Sequence, residues 1–118
     1  MKENLKNIIR DTLDSCFKEG LLKETALPNY VIEVPNNREH GHLAINLAMT
    51  LASSQKRAPR DIAKVIVDNL KDPEKFIEKA EIAGPGFINF TISREEWFKA
   101  LKNINDLEMF FVGSIQIG

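Results

Sequence analysis

The chain has 118 residues, a length suited to one domain around one modest core. Hydrophobic residues make up 43% and charged residues 28%, as in an ordinary globular domain, and no apolar run approaches the ~20 residues of a membrane helix. A formal charge of −1 and a pI of about 6.1 exclude gripping nucleic acid by bulk electrostatics, so any RNA role must rest on a local basic patch or on shape and stacking.

The N-terminal stretch MKENLKNIIRDTLDS has no apolar core of the signal-peptide kind, and the single Cys16 has no partner for an internal disulfide. Both lead us to expect a cytoplasmic location. Leu5, Ile8, Ile9, Leu13, Cys16 and Phe17 recur at helical spacing and Gly20 follows as a stop, which predicts an amphipathic helix from Lys2 to Glu19. Cys16 falls on its apolar stripe and reads as a buried free thiol.

Tyr30 to Val34 is rich in β-branched residues and stops at Pro35, the pattern of a strand. A polar loop follows to Glu39. Leu43, Leu47 and Leu51, with the small Ala44, Ala48 and Ala52 beside them, predict a closely packing helix from Leu43 to Ser54. Gln55 to Ala58 is a basic turn, and Pro59 suits the first turn of a helix whose apolar face is Ile62, Val65, Ile66 and Leu70. Asp72-Pro73 opens a short turn or helix reaching about Phe76.

A hairpin is expected next: Lys79 to Ala83, a Gly84-Pro85-Gly86 turn, then Phe87 to Ile92. Ser93 and Glu96 fit a capping box for a last helix with Trp97, Phe98, Leu101 and Ile104 on its inner face. The tail, 107–118, carries Phe110, Phe111 and Val112 and reads as the approach to a longer chain. The predicted fold class is α+β, a small antiparallel sheet with helices packed on one face.

Alternation along the second hairpin strand puts Ile88, Phe90 and Ile92 on one face and Phe87, Asn89 and Thr91 on the other. The uniformly apolar set belongs toward the helices, with Ile32 and Val34, leaving Glu33, Phe87 and Asn89 outward. An exposed ring beside an amide can stack on an unstacked base and hydrogen-bond its edge. The alternative is a Phe that covers the sheet's own glycines or lies under a loop.

Arg57, Arg60 and Lys64 fall at i, i+3 and i+7, with Lys56 beside them, and either hold phosphates or form a solvated face. The pair His40 and His42 suggests metal, hence a small metal-dependent enzyme as a rival reading. Two histidines and a distant cysteine leave a ligand set hard to assemble. No Ser-His-Asp order, P-loop or GxGxxG is present, and we assign no catalytic residue and no metal site.

Three stretches, HGHLAINLAM (His40 to Met49), PRDIAKVIVDNL (Pro59 to Leu70) and EIAGPGFINF (Glu81 to Phe90), resemble in order and spacing the N-terminal domain of arginyl-tRNA synthetases. The resemblance covers residues 1–105 and makes 106–118 a linker toward a catalytic domain. It implies an accessory tRNA-binding domain of a class I ligase that joins arginine to tRNA(Arg) with ATP and magnesium. It further implies contact with the D-loop at the tRNA elbow, with Phe87 and Asn89 at the positions of the aromatic and amide that reach an identity base. The implied partners are tRNA(Arg) and the catalytic domain of the same chain, without a membrane, in a monomer. The nucleotide-binding signatures of class I enzymes are missing, so no cofactor and no activity are expected of this stretch alone.

One departure is His42, where the family pattern His-Gly-Asp-Leu-Ala has an acid. Histidine is a poor helix N-cap, so the start of the second helix is expected to differ. His40 and Asn46 read as structural, tying loop to helix through backbone hydrogen bonds. The competing function is a protein-interaction module docking through Phe87, Thr91 and the free hairpin edge.

Overall fold

The computed structural model describes residues 2–35 and 41–101. Helix α1 (Lys2–Lys18) buries Leu5, Ile8, Ile9, Leu13 and Cys16, the predicted stripe. Strands β1 (Ile32–Glu33) and β2 (Leu43–Ile45) lead to helices α2 (Leu47–Gln55) and α3 (Pro59–Asp68). Strands β3 (Ile77–Ala83) and β4 (Phe87–Ile92) form the hairpin, and α4 (Arg94–Leu101) follows. The four strands make one antiparallel sheet in the order β1-β2-β4-β3, with helices packed on one face.

The register decides which side chains meet the helices. Ile32, Ile45, Ile88 and Ile82 lie on one transect, and Leu43, Phe90 and Ala80 on the next. Directly opposed residues of antiparallel strands share a face. Ile45, Leu43, Ile88 and Phe90 are fully buried, so this is the core face. Leu47, Ala48 and Leu51 of α2 and Ile62, Ala63 and Ile66 of α3 close over it, all at 0% exposure.

Three expectations are corrected. Residues 43–45 are strand, not the first turn of a helix. Leu43 and Ile45 point to the core with the period of two, and both edges of β2 are paired, to β1 and to β4. The four-residue spacing of Leu43, Leu47 and Leu51 fits a helix only because a strand ends and a helix begins within it. The first strand pairs over Ile32 and Glu33 alone, and Val31 lies outside it, 54% exposed. On α4, Trp97 packs against the core but Phe98 is 53% exposed; the side chain of Leu101 and all of Ile104 lie outside the described residues.

Side-chain hydrogen bonds fasten the connections. Gln55, almost wholly buried, accepts from the Lys23 N–H and donates to the Lys23 carbonyl, both at 2.7 Å. Thr12 accepts the Lys71 N–H at 3.0 Å while donating to the Ile8 carbonyl. Both carboxylate oxygens of Asp72 accept backbone N–H groups, those of Phe76 and Ile77, so Asp72 shapes a turn rather than a helix. Asn46 Oδ1 accepts from the Val31 N–H at 2.7 Å, the structural tie expected of it. His40 lies outside the described residues.

Only half of the capping box forms. The Glu96 N–H points to Ser93 Oγ at 3.4 Å, but the Ser93 N–H donates to the Phe76 carbonyl. The sheet takes the donor that the box would have offered to Glu96.

Candidate nucleic-acid interface

Phe87, Asn89 and Thr91 are half-buried and alternate with Ile88, Phe90 and Ile92, which are 0%, 0% and 1% exposed. The outward face of β4 is therefore the one expected from the sequence. Asn89 stands at its centre. Going across the sheet, Glu33, Ala44, Asn89 and Glu81 are successive neighbours on this face, one per strand. Ala44 is only a methyl between two longer polar side chains, and is 6% exposed. The Asn89 side chain makes no hydrogen bond among the described residues.

Phe87 lies opposite Ala83, next to the turn. Its ring leans over Gly84: a Cβ at that glycine would meet Phe87 Cδ2 at 3.7 Å. So part of the ring covers the hairpin's own glycine.

The turn needs its glycines. Gly84 has φ +54°, and the Gly86 N–H closes back to the Ala83 carbonyl. Gly86 has φ +141°, and a Cβ there would lie 2.6 Å from the Cβ of Pro59. That close approach seats the hairpin tip on the first turn of α3.

Of the basic residues, Arg60 reaches this tip, while Arg57 and Lys64 have partners elsewhere. Arg60 donates through Nη1 to the Gly84 carbonyl. Arg57 donates through Nη1 to the Leu21 carbonyl at 3.1 Å. Lys64 is paired with Asp68 at 2.9 Å, an i,i+4 bridge on the surface. A guanidinium has five N–H donors, so both arginines keep donors for an anion, whereas Lys64 is already neutralised in part. Lys56 ends α2 in the left-handed region, φ +52°.

His42 is not a helix cap. It precedes β2; its N–H donates to the Phe90 carbonyl at 2.8 Å, and its Nδ1 accepts the Ile92 N–H at 3.0 Å. The ring stacks on Trp97, centroids 3.7 Å apart. An acceptor at this position, acid or imidazole, can serve the end of β4, which is how a histidine fits where the start of α2 had seemed at risk. Among the described residues no group of three or more His, Cys, Asp or Glu is placed to hold a metal. No helix there is long and apolar enough to cross a membrane.

Sequence reasoning did not single out Glu81 or Lys79. Their Nζ–Oε1 distance is 3.0 Å, and Glu81 is the direct cross-strand neighbour of Asn89. Counting outward from the three-residue turn through the Ala83–Phe87 pair would have found it.

The chain matches the family model described as the arginyl tRNA synthetase N-terminal domain over residues 3–92. It is 45% identical over 101 residues to an arginine–tRNA ligase of Geotalea uraniireducens, covering 86% of this chain and 18% of that protein. To the arginine–tRNA ligase of Desulfosudis oleivorans it is 44% identical over its whole length, which is 21% of that protein. The chain thus spans about a fifth of these relatives. In fold it is similar to the arginyl-tRNA synthetase of Plasmodium falciparum, with a TM-score of 0.65 at 18% identity, over 85% of this chain and 17% of that one. A second likeness is to the Thermus thermophilus enzyme, with a TM-score of 0.55 at 24% identity, over 79% of this chain and 15% of that one.

Proposed function

The chain belongs to the arginyl-tRNA synthetase N-terminal domain family, and on that premise we propose that it is the part of an arginine–tRNA ligase that holds the D-loop at the elbow of tRNA(Arg). Residues 1–105 form this tRNA-binding domain, and 106–118 lead toward the catalytic domain, which uses ATP and arginine. The observation that carries the reading is the outward pair Phe87 and Asn89 on a sheet face opposite the helices, beside a tip seated on the first turn of α3 and held by Arg60. Phe87 stacks on a D-loop base, and the unpaired Asn89 amide hydrogen-bonds its edge. Arg57 and Arg60 hold the adjoining phosphates, with Lys64 a weaker contributor.

The test is charging of tRNA(Arg) by an arginine–tRNA ligase carrying this domain, with Phe87→Ala and Asn89→Ala. Phe87→Ala should weaken tRNA binding or charging by about 1–3 kcal/mol, and Asn89→Ala should blunt preference at one D-loop base. Arginine activation, assayed apart from charging, should be spared. Both mutants folding and charging at the unaltered rate, with unchanged base preference, would end this reading. Binding insensitive to salt would favour docking of a protein on the same face.

A further inference from the structure

The sheet register places a carboxylate within reach of the same base. Glu81 is directly opposite Asn89 on the outward face, and such neighbours stand about 4.5–5.5 Å apart at Cβ. Ala44, on the other side of Asn89, is too short to compete for the same space. Lys79 Nζ holds Glu81 Oε1 at 3.0 Å, which leaves the second oxygen available. The pair is more than half exposed, so it is held weakly and a ligand can share it. A carboxylate beside phosphates repels them. On this face it weakens binding unless it accepts a hydrogen bond from the base.

Resting on the proposed base contact by Phe87 and Asn89, we infer that Glu81 is a second, specificity-determining reader of that base. It accepts a hydrogen bond from an exocyclic amino group on the base's pairing edge, as a carboxylate does from cytosine N4. Adenine, cytosine and guanine carry such a group. Uracil has no amino group there: its one donor on that edge, N3–H, is flanked by two carbonyl oxygens, and a carboxylate is repelled by both. Glu81 thus selects against uracil, while Asn89 supplies the neutral contact and Phe87 the stacking surface.

The experiment measures binding of four tRNA(Arg) transcripts, with A, C, G or U at the stacked D-loop position, to a ligase carrying this domain. Wild type is compared with Glu81→Gln, Asn89→Ala and Phe87→Ala. Glu81→Gln keeps the size, removes the charge and adds a donor. The expected result is a loss of discrimination against uracil of about tenfold, with the uracil transcript gaining most. If Glu81 is merely a solvated charge, Glu81→Gln raises affinity for all four transcripts by the same factor, and the inference is overturned while the Phe87 contact stands. If Phe87→Ala and Asn89→Ala bind all four as wild type does, the underlying contact falls and the inference with it.

Discussion

Arg60 and Gly84 are joined by a hydrogen bond from guanidinium to carbonyl, so a side chain of the first turn of α3 holds the tip of the hairpin. Phe87 begins three residues further on. Arg57, by contrast, is tied to Leu21, in the connection after α1. The two arginines should therefore differ. Arg57→Ala is expected to lower tRNA affinity equally for every D-loop base and to reduce the salt slope by about 0.7–1. Arg60→Ala should do the same and also loosen base preference, because the turn that seats Phe87 loses its anchor. Lys64→Ala should change least. Binding titrations across a salt series, with matched D-loop variants, measure all three; an Arg60→Ala profile identical to that of Arg57→Ala would show that the anchor plays no part.

The two faces of β4 should separate cleanly in stability. Ile88 is fully buried, so Ile88→Ala should cost about 2–5 kcal/mol in urea unfolding. Phe87 keeps part of its surface in solvent, so Phe87→Ala should cost less, about 1–2 kcal/mol. The reverse order would mean that the strand presents its other face to the core.

Gly86→Ala should be more damaging than its position in a surface turn suggests. The added methyl meets Pro59 at 2.6 Å, and φ +141° is a conformation that residues with a side chain rarely adopt. A loss of about 1–3 kcal/mol is expected. Gly84→Ala meets Phe87 Cδ2 at an ordinary 3.7 Å and should be milder, carrying the φ penalty alone. Thermal melts of the two variants, compared side by side, test this.

Burial pushes the Cys16 thiol up from its usual 9.0, helped by the charge of Glu19 and opposed by Lys71. The folded state then keeps a proton that the unfolded state gives up. Stability from this group is intact below pH 9, and falls as pH rises from there through the folded value. Tyr30 is also raised, by burial and then by Glu3, and adds to the same alkaline loss. Cys16→Ala should flatten part of the decline in urea-unfolding free energy above pH 9. A decline unchanged by the substitution would place it elsewhere, with Tyr30 the first candidate. Native Cys16 should also react with a thiol reagent only at the rate of unfolding.

The elements that the sequence made plain were those with a long enough period to count. α1 shows its stripe over four turns, and β4 alternates over six residues, so the outward side of Phe87 and Asn89 is legible in the sequence. β2 was hidden because three residues, Leu43 to Ile45, are too few to distinguish a period of two from one of 3.6. Its identity comes from pairing on both sides, which is not local information. The partners of Arg57 and Arg60 were equally out of reach: Leu21 and Gly84 are 36 and 24 residues away. The role of His42 was misjudged because a cap was assumed where a strand begins. Glu81 meets Asn89 only through the pairing of two strands, which alternation along β4 alone does not reveal.

The strand order has a consequence for how the protein is made. β4 lies between β2 and β3, and no two strands that precede it are neighbours except the short β1 and β2. As the chain leaves the ribosome, α1, α2 and α3 emerge with nothing across which to spread their apolar faces. The sheet can close only after Phe87 to Ile92 has cleared the exit tunnel and slotted into the gap. Ribosome-bound chains halted before that point should be degraded readily by added protease, and chains joined through an added linker that puts Ile92 about 100 Å, or roughly thirty extended residues, from the point of synthesis should resist it.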